Sequence, residues 1–97
     1  MVFTSIRAEG DQAEYEAMAD RMVELAAEQD GYLGVEFARD ADGVGITVSY
    51  WRDREAIQAW REHAEHRVAQ ELGRSRWYRN YRLRICCVEG EVGFPTD

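Results

Sequence analysis

The chain has 97 residues, of which 45% are hydrophobic and 32% charged, and its formal net charge is −7. This composition excludes disordered, collagen-like and disulfide-scaffold proteins, and a chain this short forms a single domain. The excess of acid argues against nucleic-acid binding, because neutralising phosphates needs excess cation. No apolar segment approaches the length of a membrane span and no leader is evident, so we expect a soluble, cytoplasmic protein that does not bind membranes.

Hydrophobic alternation and helical spacing predict six elements, and residues at their ends mark the boundaries. Asp11 and Glu14 fit a capping box before the first helix, and Asp53 fits the N-cap of the second. Gly31 suits a helix C-terminus, and Gly43 suits a turn with positive φ. Residues 1–90 are expected to form one domain, and residues 91–97 an unpatterned tail. In chain order we predict a strand over Val2–Arg7, a helix from Asp11 to about Gly31, a hairpin of strands Leu33–Arg39 and Val44–Trp51, a helix from Arg54 to about Gly73, and a strand over Trp77–Val88.

The order β-α-β-β-α-β is that of the ferredoxin-like fold, an α+β architecture with a four-stranded antiparallel sheet and both helices on one face. Two amphipathic helices cover only one side of such a sheet. Strand alternation places Phe3, Trp51 and Val88 on faces that cannot all meet the helices. A sheet with two partly apolar faces needs a second cover, so we predict a homodimer in which two sheets pack across a twofold axis.

Two segments near the end of the chain carry unusual side chains. Cys86 and Cys87 are adjacent, so a bridge between them would be strained, and we expect both to be small buried residues in a reducing compartment. Five arginines and no acid lie between Arg74 and Arg84. They either pair with the acidic first half of the chain or a partner subunit, or form a patch for an anionic ligand.

The second helical region contains both histidines of the chain, close to a tryptophan. On an unbroken helix Ile57, Trp60 and Ala64 share a buried stripe, and the side chains of His63 and His66 lie about 60° and 120° from that of Trp60. Trp60 is either a core anchor or a pocket wall. The histidines either pair with nearby acids or serve as a base or axial ligand in an apolar cavity. Two histidines without a third ligand do not predict a metal site.

Four short segments together carry a more specific signature: Ser49–Trp51, Ala59–His66, Leu72–Arg74 and Trp77–Tyr78. Through them, about residues 1–90 of the chain resemble the antibiotic biosynthesis monooxygenase family. The resemblance implies a dimeric α/β barrel with a pocket between sheet and helices in each subunit. Some members of this family oxidise aromatic polyketides or quinols with molecular oxygen and neither metal nor flavin. Others bind and degrade heme, and many have no known substrate.

The resemblance assigns roles to individual residues. Trp60 matches the helix tryptophan that lines the pocket, and His66, with His63 as its rival, matches the histidine that ligates heme in the degrading branch. That branch also uses an asparagine on the first strand, whereas Val2–Arg7 has none and the only asparagine of the chain is Asn80. The resemblance therefore implies a cofactor-independent monooxygenase first. A heme-binding or heme-degrading protein and a non-catalytic dimeric ligand-binding module are the alternatives.

Oxygenation without a cofactor requires an electron-rich substrate, such as a small aromatic or quinol-like compound that becomes carbanion-like on losing a proton. The protein must desolvate and orient this substrate and accept the proton. We expect Trp60 to form the walls of the pocket with Phe37, Tyr50 and Tyr81, on the basis of strand alternation. His66 or His63 is the expected proton acceptor.

Overall fold

The computed structural model describes residues 1–10, 12–71 and 78–95, and the side chains of these residues except 12 and 66–71. The predicted order of six elements is confirmed, and the predicted cap at Asp11 lies outside the described residues. Neither of the two described helices is long and apolar enough to cross a membrane. The elements are β1 (Val2–Arg7), α1 (Gln12–Ala27), β2 (Tyr32–Arg39), β3 (Val44–Trp51), α2 (Arg54–Glu71) and β4 (Tyr78–Arg84).

The four strands form one antiparallel sheet in the order β2-β3-β1-β4, so the first strand lies between the third and the fourth. Phe3 is paired with Thr47 on one side and with Leu83 on the other. Because side chains alternate across a strand, these three residues share one face. That face carries both helices, which gives the ferredoxin-like α+β fold predicted from the element order.

Two predicted local signals are found in the structure. The side chain of Asp53 accepts a hydrogen bond from the backbone N–H of Ala56, 2.8 Å away, and so caps the start of α2. This bond holds the pKa of the Asp53 carboxyl below its usual value. In the β2–β3 turn, Asp40 accepts bonds from the backbone of Asp42 and Val44, and Gly43 has a φ of 87°. These contacts fix where α2 begins and how β2 pairs with β3.

The core lies between β3, α1 and α2, and two stacked indoles form its centre. Trp51 of β3 stacks on Trp60 of α2 with ring centroids 5.8 Å apart and planes inclined by 21°. Tyr32 contacts the ring of Trp51 edge-on. The indole N–H of Trp51 donates a 2.9 Å hydrogen bond to the buried hydroxyl of Ser49. Three buried apolar side chains complete the core beside these rings: Ala26, Ala56 and Ile57.

The last strand is shorter than predicted. It ends at Arg84 rather than Val88, where Arg84 pairs with Val2, the first residue of β1. Cys86 and Cys87 therefore lie past the sheet, and both are exposed rather than buried as expected. A strand ends where its neighbour ends, and hydrophobic alternation along one segment does not reveal that limit.

The second face of the sheet is apolar, but its residues differ from those predicted. Phe3 and Trp51 both lie on the face that carries the helices, and Val88 lies beyond the last strand. The opposite face, which we call the open face, presents the alternate residues of the strands. Ile46 is 47% exposed there, and neither described helix packs against it. The apolar side chains of the open face are Val2, Ile6, Ala38, Val44, Ile46 and Val48.

The contact between Ser49 and Trp51 gives a test of the core. The change Ser49→Ala leaves a buried indole N–H without its acceptor, so we expect the free energy of unfolding to fall by about 1–3 kcal/mol. In a Trp51→Phe background no indole N–H remains, and the same change should cost clearly less. Urea unfolding of the four proteins in this cycle measures the coupling, and strict additivity of the two changes would contradict the assigned hydrogen bond.

Candidate functional site

A cavity of about 610 Å³ lies between the two helices and the sheet face that they cover. Sites for small ligands commonly have volumes of roughly 300–1,000 Å³ and mostly apolar walls. Here the helices and strands supply such walls, and Trp60 is the core indole that lines the cavity. The aliphatic part of the lining is formed by Met18, Met22, Val23 and Ala26 of α1 together with Val35 and Leu83 of the sheet. The cavity is large enough for a ring compound.

Three of the four predicted aromatic walls line this cavity. Trp60 is only 7% exposed and faces it from α2, with one side of its ring against Trp51. Phe37 of β2 is 69% exposed and Tyr81 of β4 is 41% exposed, so solvent and small molecules reach both rings. The cavity thus joins a rigid aromatic end in the core to aromatic side chains at its mouth.

Tyr50, the fourth predicted wall, lies on the other side of the sheet, so the prediction that it lines the pocket is wrong. Its neighbours Ser49 and Trp51 face the helices, so alternation along β3 turns Tyr50 to the open face. There its hydroxyl donates a 2.7 Å hydrogen bond to the carboxylate of Glu36. This bond raises the pKa of Tyr50, because the carboxylate favours the protonated hydroxyl.

The structure brings His63 beside Trp60 but not into the cavity lining. Their ring centroids are 5.9 Å apart. Arg61 and Ala64 line the cavity on one side of Trp60, whereas the helical turn carries His63 to the other side. The Nε2 atom of His63 is buried and has no hydrogen-bond partner among the described residues. His66 belongs to α2, but its side chain lies outside the part of the chain that is described.

A polar cluster that the sequence analysis did not identify lies elsewhere on the cavity wall, where α1 meets β2. The guanidinium of Arg39 lies 4.7 Å from the ring centroid of Tyr15, and its Nη2 donates to the hydroxyl of that tyrosine. Its Nη1 donates to the backbone carbonyl of Gly43 at 3.2 Å. The guanidinium of Arg7 lies 5.4 Å from the same ring. Alternation along β2 is the signal that could have found this cluster, because it puts Arg39 on the same face as Phe37.

Tyr78 contributes a neutral hydroxyl to this part of the wall. Its ring lies edge-on to Tyr15, with centroids 6.0 Å apart, and contacts the ring of Phe3 at 5.3 Å. Burial raises the pKa of Tyr78 well above its usual range, and its interactions with Tyr15 add to the effect. The hydroxyl therefore stays protonated at neutral pH and does not act as a base there.

The chemistry open to these residues is that of a largely apolar chamber with a cationic corner at Arg39, and the lining also includes Arg61 and the acids Glu16, Asp20 and Glu65. Aromatic faces hold a ring by stacking and edge contacts. Within the described ranges, no group of three or more His, Cys, Asp or Glu side chains is arranged to hold a metal ion.

Comparison with known proteins gives consistent results. The sequence profile described as antibiotic biosynthesis monooxygenase matches residues 2–72. The chain is 52% identical over all 97 residues to the uncharacterized protein YqjZ of Bacillus subtilis (strain 168), covering 84% of that protein. It is 38% identical over 47 residues, or 48% of the chain, to the jasmonate monooxygenase ABM of Pyricularia oryzae, of which it spans only 22%.

A solved structure supports the fold independently. The crystal structure of PA3566 from Pseudomonas aeruginosa superposes with a TM-score of 0.66, covering 84% of this chain and 83% of that chain. The sequence identity between the two is 19%, so the likeness concerns the fold. Together, the profile match and the relative that aligns over the full chain show that this protein belongs to the antibiotic biosynthesis monooxygenase family.

Proposed function

We propose that the protein is a monooxygenase that uses molecular oxygen to oxidise a small aromatic or quinol-like compound, with no metal or organic cofactor. The observation that carries the proposal is the cavity of about 610 Å³ walled by Trp60, Phe37 and Tyr81. The family of the chain and the name of its Pyricularia relative, a monooxygenase, support the reaction class.

The reaction needs no external reductant when the substrate supplies all the electrons. A phenol or quinol loses a proton, and the resulting anion passes an electron to oxygen. The two radicals combine in a carbon–oxygen bond, and the resulting peroxide anion takes back the proton from the base to give a hydroperoxide. Loss of water from this species leaves a carbonyl on the ring carbon, so one oxygen atom enters the product and the other leaves as water. The protein accelerates these steps by orienting the ring, excluding water and accepting the proton.

In this proposal Trp60 is the fixed surface on which the ring lies. Its other face is held by Trp51, so it keeps its position without a ligand. Phe37 and Tyr81 contact the substrate ring from the side of the sheet. The proton acceptor is a histidine of α2, with His66 as the first candidate and His63 as the second. His63 is held against Trp60 with a free, buried Nε2, but it does not line the cavity.

Heme, the alternative cofactor, finds no histidine ligand among the described side chains of the cavity. The ligation that the resemblance implies needs an imidazole nitrogen facing the chamber, and His63 is not part of its lining. Asn80 is exposed on β4 and pairs with Ile6, so it does not replace the first-strand asparagine. The described lining of the cavity therefore lacks the histidine and the asparagine of the heme-degrading branch. Binding through His66 stays a prediction.

We also infer that a second copy of the chain covers the open face. Val44 and Ile46 of the inner strand β3 are exposed on it, in a domain too small to leave such a surface in water without cost. Packing sheet against sheet across a twofold axis would cover both copies at once.

Oxygen consumption tests the proposed reaction. The protein is mixed anaerobically with a panel of phenols and quinols, oxygen is then added, and its uptake is followed with an electrode. We expect uptake with at least one compound, and a Phe37→Ala variant should lower kcat/KM by about three- to tenfold because an aromatic wall is lost. Leu33→Ala is the matched control, since Leu33 is an equally exposed apolar residue of β2 that does not line the cavity.

The outcomes separate the functional alternatives. If no compound of a broad panel causes oxygen uptake, the monooxygenase proposal is contradicted. Binding of the same compounds without oxygen uptake would indicate a ligand-binding module. Equal effects of the Phe37 and Leu33 changes would place the reaction outside this cavity.

The pH profile of oxygen uptake tests the histidine role. An imidazole accepts a proton only in its neutral form, so activity should rise with pH as the histidine loses its proton. His66→Ala should lower kcat and abolish this rise, whereas His63→Ala should leave it in place if His66 is the acceptor. If the rise survives in both variants, neither histidine accepts the proton.

Sedimentation velocity tests the assembly. Ile46→Glu places a charge at the centre of the open face and should shift a dimer toward the monomer, because an unpaired carboxylate would be buried in the interface. Ala17→Glu, which adds the same charge at an exposed position of α1, should leave the dimer unchanged. A wild-type protein that sediments as a monomer at micromolar concentration would contradict the inferred interface.

A further inference from the structure

We propose that the cavity contains an anion-binding subsite, formed by Arg39 on the ring of Tyr15, that receives an oxygen anion attached to the ligand ring. The proposal rests on the proposed function for its ring-binding chamber and deepens it by naming the substrate class. That class comprises aromatic compounds bearing a carboxylate or a phenolate oxygen, rather than neutral hydrocarbons.

The guanidinium of Arg39 occupies a space that the fold keeps open for it. Arg39 pairs with Gly45 across β2 and β3, and the guanidinium lies over that glycine. A Cβ at position 45 would come within 2.8 Å of its Cζ and Nη2 atoms. Hydrogen bonds to Gly43 and Tyr15 hold the group from two sides. The guanidinium of this exposed residue is therefore held at the cavity wall.

The positive charge at this corner has no acidic partner among the described residues. A guanidinium has five N–H donors, and Arg39 uses two of them, both on uncharged oxygens. No ion pair of Arg39 or Arg7 is present in the described part of the chain. Residues 1–50 contain eleven acids and only three arginines, and two of those three arginines converge on Tyr15. The remaining donors of Arg39 are free to bind an anion.

The surroundings of Arg39 suit a ring that carries the anion. Tyr15, Tyr78, Tyr81 and Phe3 line the same cavity beside it and contact one another at ring-centroid distances of about 5–6 Å. The buried hydroxyl of Tyr78 stays neutral, so it adds no negative charge to repel a ligand. An anionic oxygen on the guanidinium would leave its ring among aromatic faces. A charge-assisted bond of this kind is roughly twice as strong as a neutral one.

Two fluorescent probes with the same ring system test the subsite in the full chain. Anilinonaphthalene sulfonate carries an anionic oxygen group, and phenylnaphthylamine is its neutral counterpart. We expect Arg39→Gln to lower the affinity for the sulfonate probe by about tenfold while changing the affinity for the neutral probe by less than about twofold. Arg21→Gln is the control, because it removes the same charge from an exposed position of α1 that does not line the cavity.

A second variant separates position from charge. Gly45→Ala keeps the arginine but displaces its guanidinium, and the displaced atoms are the end of a flexible side chain, so the strand should remain folded. We expect it to weaken the sulfonate selectively, as Arg39→Gln does. Equal affinity of wild type and Arg39→Gln for the sulfonate would overturn the subsite. So would failure of both probes to bind, or a loss of the same size in Arg21→Gln.

Competition identifies the source of the anion. Para-nitrobenzoate displaces the sulfonate probe if the subsite takes carboxylates. Para-nitrophenol displaces it more strongly as pH rises if the subsite takes phenolates, and failure of both competitors overturns the proposal. This result is independent of the test of the proposed function. Arg39-dependent probe binding without oxygen uptake supports the subsite alone. Oxygen uptake without Arg39-dependent probe binding supports the reaction alone.

Discussion

The stacked pair Trp51 and Trp60 is the contact on which the rest of the structure depends. It joins α2 to β3, and the hydroxyl of Ser49 holds the Trp51 indole by accepting a hydrogen bond from its N–H. Trp60 is at once part of the core and a wall of the cavity. Because its position is determined by packing, the cavity keeps a rigid surface in a domain whose core is small. The wall of the cavity at Trp60 is therefore as fixed as the core behind it.

Much of the fold was predictable because its signals are local. The Asp53 cap and the turn over residues 40–43 depend on side chains within four residues of the groups that they bind, and the structure contains both. The end of β4 was not predictable in this way. It depends on Val2, which lies far away in the sequence and limits the ladder at Arg84. Non-local pairing sets such limits, and a single strand pattern does not contain them.

The residues of the candidate site show the same difference between local signals and non-local arrangement. Trp60, Phe37 and Tyr81 were recognised as aromatic candidates and line the cavity, whereas Tyr50 was included although alternation with Trp51 turns it to the open face. The cationic corner was missed because β2 and α1 each supply one member, and neither is unusual in its own segment. Clusters assembled from separate elements become visible only when register and helix phase are known together.

The stacked indoles have an optical consequence. Aromatic rings 5.8 Å apart share their electronic excitations, and one of these two rings forms a cavity wall. A molecule bound in the cavity beside Trp60 would change the polarity around the pair. The protein thus carries its own chromophore for occupancy, readable as a near-ultraviolet dichroism or emission change without any label.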